Sequence, residues 1–148
     1  MKSLRNESDR LEIIRRLGAL APELQPQWGR FTAGKMLCHL IDAFRMARGE
    51  LATKPPTRRA FTVFPLKHLF LFVLSFPKNV RTAPELLTTD PSTFEQDRRV
   101  CAALIERYAS TPVAGDGPSH PLFGVLTWSQ WGVLQWRHTD HHLRQFGV

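Results

Sequence analysis

The stretch TWSQWGVLQWRHTDHHLRQF, residues 127–146, reads as a helix from its first residue. Thr127 offers a hydroxyl for an N-cap and Gln130 stands three positions on, the spacing of a capping box. The run reaches Phe146 without a proline, and three of the chain's six histidines fall within five of its positions. Outward from this segment the same helical periodicity recurs. No segment alternates apolar and polar residues for long enough to predict a sheet.

Upstream, Leu11, Ile14, Leu17 and Leu20 recur every three residues and predict a first helix over about 8–20, closed by Pro22 and Pro26. Thr32 caps a second helix that runs to about Gly49, with Met36, Leu40, Ala43 and Ala47 on one stripe. Residues 51–90 form a long connection broken by Pro55-Pro56, Pro65, Pro77 and Pro84. Within it LKHLFLFVLSF, 66–76, predicts a short helix opened by Pro65 that packs across the others as a lid or pocket wall. Asp90-Pro91 supplies an N-cap and a first-turn proline for a third principal helix ending near 109. A loop carrying Pro112, Gly115, Gly117, Pro118 and Pro121 leads into the last helix. Four principal helices and one 40-residue link predict an all-α fold. The expected form is a four-helix bundle in up-down-down-up order, with the crossover between helices two and three and a single domain over 1–148.

Composition agrees with one globular unit: 148 residues, 43% hydrophobic and 22% charged. Cys38 and Cys101 form no CxxC pair and read as buried small hydrophobes in a reducing compartment. The start MKSLRNESDRLEIIRRL carries acidic residues and no apolar core, so no signal peptide is expected. The 66–76 run falls short of the about 20 apolar residues of a membrane span. A cytoplasmic protein without a membrane partner is the expectation. The net charge of +7 comes in scattered pairs such as Arg15-Arg16, Arg58-Arg59 and Arg98-Arg99, with no reading motif. That pattern predicts no specific nucleic-acid partner.

His138 and His142 stand at i and i+4, so both imidazoles can reach one point beside the helix. That spacing suits a first-row metal ion. His141 could pair with His138 instead and is placed as a flanking or supporting residue. A third ligand is needed, and His39, beside the apolar stripe of MLCHLIDAF, is the candidate. It lies roughly 10 Å from the start of its helix and His142 roughly 6 Å from the end of the last one. Antiparallel packing would therefore bring them level. Asp42, one turn past His39, could hydrogen-bond a ligand ring or act as a base, and Asp140 could do the same on the last helix. Each is also readable as an ordinary surface carboxylate. The four tryptophans read as core and pocket wall, and His68 and His120 as structural.

MLCHLIDA (36–43) and RHTDHHLRQF (137–146) resemble the DinB/YfiT-like superfamily, in which one helix gives a histidine and the final helix an HxxxH pair often followed by a glutamine. His39, His138, His142 and Gln145 fall on those positions. RTAPEL (81–86), HPLFG (120–124) and WGVLQWRHTDHHLRQFG (131–147) further resemble a bacterial branch of it carried as a domain of unknown function. The resemblance implies a divalent metal, zinc or nickel, frequent homodimers, and a small-molecule substrate handled with a low-molecular-weight thiol. Three histidines without a fourth protein ligand leave a coordination position open, the pattern of a catalytic site. Arg45, Arg48, Arg137 and Arg144 could steer an acidic thiol toward it. Three readings compete: a metal-dependent thiol transferase or hydrolase, a metal- or ligand-binding module without turnover, and a basic bundle attracted to nucleic acid or a membrane surface.

Overall fold

Asn6 opens the first helix, its side chain accepting a hydrogen bond from the Asp9 N–H. In the computed structural model, which describes residues 1–52, 54, 59–79, 82–112 and 114–148, this helix, α1, spans Glu7–Gly18. Glu7 and Asp9 in its first turn and Arg15 and Arg16 in its last complement the helix dipole. Pro55, Pro56, Arg58 and Arg81 lie outside the described residues.

Thr32 accepts from the Lys35 N–H to cap α2, Ala33–Ala47. Every residue of α2 from Met36 to Phe44 is buried. A helix covered on all sides is a central one, and a single apolar stripe understates it. Pro65 precedes α3, Leu66–His68, which continues as a π-helical turn over Leu69–Val73 and sends Leu71 into the core. The next cap falls on Thr93 rather than Asp90, because the Thr93 hydroxyl is placed to accept from the Gln96 N–H; α4 spans Phe94–Arg107. Thr127 and Gln130 form both hydrogen bonds of a capping box and open α5, Trp128–Gln145.

The expectation of an all-α, DinB-like four-helix bundle is overturned between α4 and α5. There β1, Asp116–His120, and β2, Gly124–Thr127, pair antiparallel. Ser119 lies opposite Val125 and His120 opposite Gly124, and the pairing slips between Asp116 and Ser119. The prolines and glycines that read as a loop are compatible with this ribbon. A two-stranded sheet consists only of edges, so Pro118 removes no interior ladder bond. Gly117 is required by a close approach: a Cβ there would stand 2.9 Å from the Trp131 ring. The Trp131 indole N–H donates to the Pro118 carbonyl at 2.9 Å, fastening ribbon to helix. With β1 also against α2, the chain is a small mixed domain of five helices and a two-stranded sheet among its described residues. The crossover is likewise no bare link, since it holds α3, the π turn and 3-10 turns at Arg59–Thr62 and Pro84–Leu86.

Gln135 on α5 donates to the Ala43 carbonyl on α2 at 2.9 Å. Later residues of α5 meet His39, earlier on α2, so the two helices run antiparallel. α1 runs with α5, as Leu4–Gly132, Asp9–Trp136 and Arg16–Asp140 contacts show. Among the described residues no helix is long and apolar enough to cross a membrane.

Candidate metal centre

His39 is held from behind. Its Nδ1 lies 3.1 Å from the carbonyl of Leu86, in the Pro84–Leu86 turn. A carbonyl only accepts, so the ring proton sits on Nδ1 and Nε2 presents a lone pair. His142 is fixed the same way through a longer relay. The Gln145 Nε2 donates to the Trp28 carbonyl at 2.5 Å, which turns the amide oxygen toward His142. That oxygen accepts from His142 Nδ1 at 2.9 Å, and His142 Nε2 is left as the free donor atom. Gly29 makes the relay possible. Its φ is +80°, and a Cβ there would stand 2.6 Å from the Gln145 amide nitrogen.

His138 meets both rings. Its Nε2 lies 3.0 Å from that of His39 and 3.1 Å from that of His142. The three ligand atoms lie within 4.8 Å of one another. A tetrahedral ion with nitrogens at 2.0–2.1 Å would space them about 3.3 Å apart. Only the His138 nitrogen can carry a proton into this meeting point, since the other two rings are protonated on their far side. A cation relieves the remaining lone-pair repulsion, so the three histidines could hold a metal ion.

Burial, foremost, holds all three below the ordinary histidine range. For His138 repulsion from His142, His39 and His141 adds to it, and the pKa falls far. His142 is pushed down to about 3 by burial and by His39, against the opposing bond to Gln145. Burial also lowers His39, although Leu86 and Asp42 favour its charged form. Neutral rings are the metal-binding form, with no proton to displace near neutral pH.

Asp42 is fully buried but touches neither a ligand ring nor the meeting point through any hydrogen bond described. Its carboxylate accepts from the Thr88 and Thr89 backbone N–H groups at 2.6 and 2.9 Å, and from their hydroxyls at 3.0 and 2.6 Å. Burial works to raise its pKa, but the bonds from Thr89 and Thr88 outweigh it and the net shift is downward. Asp42 therefore braces the segment whose Leu86 carbonyl orients His39. Asp140 is paired with Arg16 at 2.7 Å and Arg144 at 3.1 Å. Neither carboxylate stands free as a base.

A cavity of about 400 Å³ opens beside the cluster, with Trp28, Phe76, Lys78, Arg137, His141 and Arg144 in its wall. The His141 ring packs edge-on to Trp28 and His142, at 5.5 and 5.2 Å between centroids. Phe76 stands edge-on to both His138 and His141. His141 thus belongs to the cavity, one ring away from the three convergent nitrogens. Of the arginines singled out in the sequence, Arg137 and Arg144 reach this wall. Arg45 leans on Asp42 at 3.8 Å and Arg48 pairs with Glu50 at 2.7 Å. Lys78, over the Trp28 ring at 4.3 Å, is a cavity cation that sequence spacing did not reveal. The backbone carbonyls of Leu86 and Trp28 were equally hidden, because every residue type carries one.

Both cysteines are free and buried. Burial, reinforced by Asp97, pushes the Cys38 thiol up to about 11, and burial pushes Cys101 up to about 12. His120 lies in the ribbon, where its Nδ1 accepts from the Leu122 and Phe123 N–H groups at 3.0 and 3.3 Å. Burial lowers its pKa to about 3.

Fold and site together define a small mixed domain with a convergent trio of histidines, two buried and one half-buried, beside a basic cavity. The chain belongs to the family described as protein of unknown function (DUF1569), whose model matches residues 8–147. No curated protein and no solved structure matches it.

Proposed function

We propose that this chain is a metal-dependent enzyme that transfers a small anionic thiol to an electrophile, with zinc or nickel held by His39, His138 and His142. The observation that carries the reading is the meeting of three neutral imidazole nitrogens with no carboxylate among them. His39, His138 and His142 would hold the ion without quenching its charge, and the chemistry it would supply when bound is the acidification of a thiol. The chain's own thiols are buried and held protonated, so the sulfur comes from a separate molecule. The cavity wall suits an acidic one: Lys78, Arg137 and Arg144 outnumber the single carboxylate of Asp140 there.

His141 is the group placed to receive the thiol proton. It lines the cavity, and burial is the leading cause that keeps its pKa below the ordinary value. Sulfur then bonds to the electrophilic carbon while the leaving group departs with its bonding pair. Hydrolysis at the same site is the less supported reading: His141 could take a proton from water as well as from a thiol, but the basic cavity wall favours an anionic co-substrate over water. The resemblance of the histidine pattern to DinB/YfiT-like proteins points toward the thiol reading.

The test begins with elemental analysis of untagged protein, where about one zinc or nickel per chain is expected. Metal-loaded protein is then incubated with bacterial thiols and a bimane or chloro-nitrobenzene electrophile. Conjugation faster than by His138→Ala supports the transferase. Equal rates for every thiol tried would overturn it, and ester or amide cleavage dependent on His138 would establish the hydrolase instead.

A further inference from the structure

Of the histidines near the cluster, His141 lines the cavity, whereas His39, His138 and His142 are not among its described wall residues. Phe76 touches both sides of that division. It lines the cavity, and its ring is edge-on to His138 at 6.2 Å and to His141 at 6.0 Å between centroids. Phe76 is half-buried while Ser75 and Pro77 on either side of it are exposed. No backbone–backbone hydrogen bond joins 75–77 to any described residue. The stretch is fixed instead by a side chain. Arg137 donates to the Leu71 carbonyl at 2.5 Å and to the Leu74 carbonyl, and its guanidinium lies over the Phe76 ring at 5.5 Å. Leu71 is fully buried, and Leu74 leaves the π-helical turn in an extended conformation. A hinge therefore falls between that anchor and the ring.

We propose that Phe76 is a gate between the cavity and the histidine trio, latched by Arg137 and opened by the oxyanion group of an incoming small molecule. The proposal rests on the metal reading for what the gate gives access to. In the latched state Arg137 serves two neutral carbonyls. A carboxylate or phosphate offers the same planar fork a charged, bidentate acceptor, which makes the stronger bond. The cations are arranged to bring such a group in. Lys78 and Arg144 are exposed and Arg137 is half-buried, so an anion drawn to the cavity meets the latch last. Freed of Arg137, the 74–77 stretch is held by the Phe76 ring alone, and its swing joins the cavity to His138. The molecule that needs the centre is thereby the one that opens it.

Metal-free full-length protein would be treated with diethyl pyrocarbonate, which acylates neutral imidazole, and the rate at each histidine read by peptide mass spectrometry. The rate at His138 then tracks the population with the gate open. Arg137→Met keeps the length of the side chain and removes both bonds. It should raise that rate on the order of tenfold, the scale of two net hydrogen bonds. Phe76→Ala should raise it at least as far. Adding Arg137→Met to Phe76→Ala should change nothing further, since a latch without a gate has nothing to hold. Inorganic phosphate, compared with sodium chloride at equal ionic strength, should raise the rate in wild type and leave Arg137→Met unaffected. His120, in the ribbon, is the control in every arm. An unchanged His138 rate in Arg137→Met, additive effects in the double variant, indifference to phosphate, or an equal rise at His120 would each overturn the gate. In zinc-loaded protein both single variants should lose metal to a chelator faster than wild type, and unchanged loss rates would overturn it as well. Protein that takes up no zinc but shows the expected acylation pattern would end the metal reading and leave the gate standing.

Discussion

Three imidazoles share one point because His39 and His142 are each oriented from outside the trio, by the Leu86 carbonyl and the Gln145 amide, and His138 meets both. Replacing His39, His138 or His142 with alanine should leave well under one metal per chain by elemental analysis, while His68→Ala keeps the wild-type content. Retention of full metal by His142→Ala would remove it from the ligand set. Gln145 touches no other ligand, yet it decides which nitrogen of His142 faces inward. Gln145→Ala should therefore weaken metal affinity by roughly 10–100-fold in a competition titration with a chelator. Gly29→Ala puts a Cβ onto the same amide and forces an L-residue to a positive φ. It should cost about 1–3 kcal/mol in chemical denaturation.

Two short elements carry more than their length suggests. The turn at Pro84–Leu86 and the Thr88-Thr89 pair form a backbone wall for His39, and Asp42 holds that wall with four hydrogen bonds. Asp42→Ala takes the charged acceptor from four partly buried donors of Thr88 and Thr89, so a loss of about 1–3 kcal/mol is expected in denaturant titration, with weaker metal binding alongside. The folded carboxyl titrates below its unfolded value of 3.8. Its contribution is therefore full above that pH and lost as the pH falls below it. The ribbon has its own acid limit. His120 falls from 6.5 to about 3 on folding, so its stabilisation is complete above pH 6.5 and declines as the pH drops toward 3. Asparagine can accept the same N–H groups without titrating. His120→Asn should accordingly show a shallower loss of stability between pH 6.5 and 4 than wild type, both measured metal-free; equal slopes would remove His120 as the cause.

At the scale of the molecule, metal and folding are linked, because the trio draws on α2 and α5 at once and exists only when they are packed. Zinc at 100 times its dissociation constant should add about 2.7 kcal/mol of stability. For a chain of this size that raises the melting temperature by roughly 5–10 °C. Calorimetry with and without zinc would read the shift, and His142→Ala should abolish it. An equal rise in the variant would place the binding site elsewhere. α2 is buried on all sides because the ribbon and the 84–86 turn complete its cover, so a four-helix description omits two of its walls.

Local chemistry was legible in the chain. The caps at Thr32 and Thr127, the proline before α3, and the i,i+4 pair of His138 and His142 all depend on residues within a turn or two of one another. The expected cap at Asp90 missed by three residues for the same kind of reason, since Thr93 competes for the role at short range. The ribbon was not legible: its strands are only five and four residues long and lack a clear alternation. Their pairing is favourable only once Trp131 and α2 are present to pack against. Nor could the chain reveal that Asp42 braces a loop, that Leu86 and Trp28 lend carbonyls to the histidines, or that Lys78 joins a cavity wall. Backbone groups are the same at every position, and a long-range hydrogen bond has no spacing to read. The sequence by itself determined which residues could bind a metal; only tertiary packing decided which nitrogens face one another, because that is set by partners on other elements.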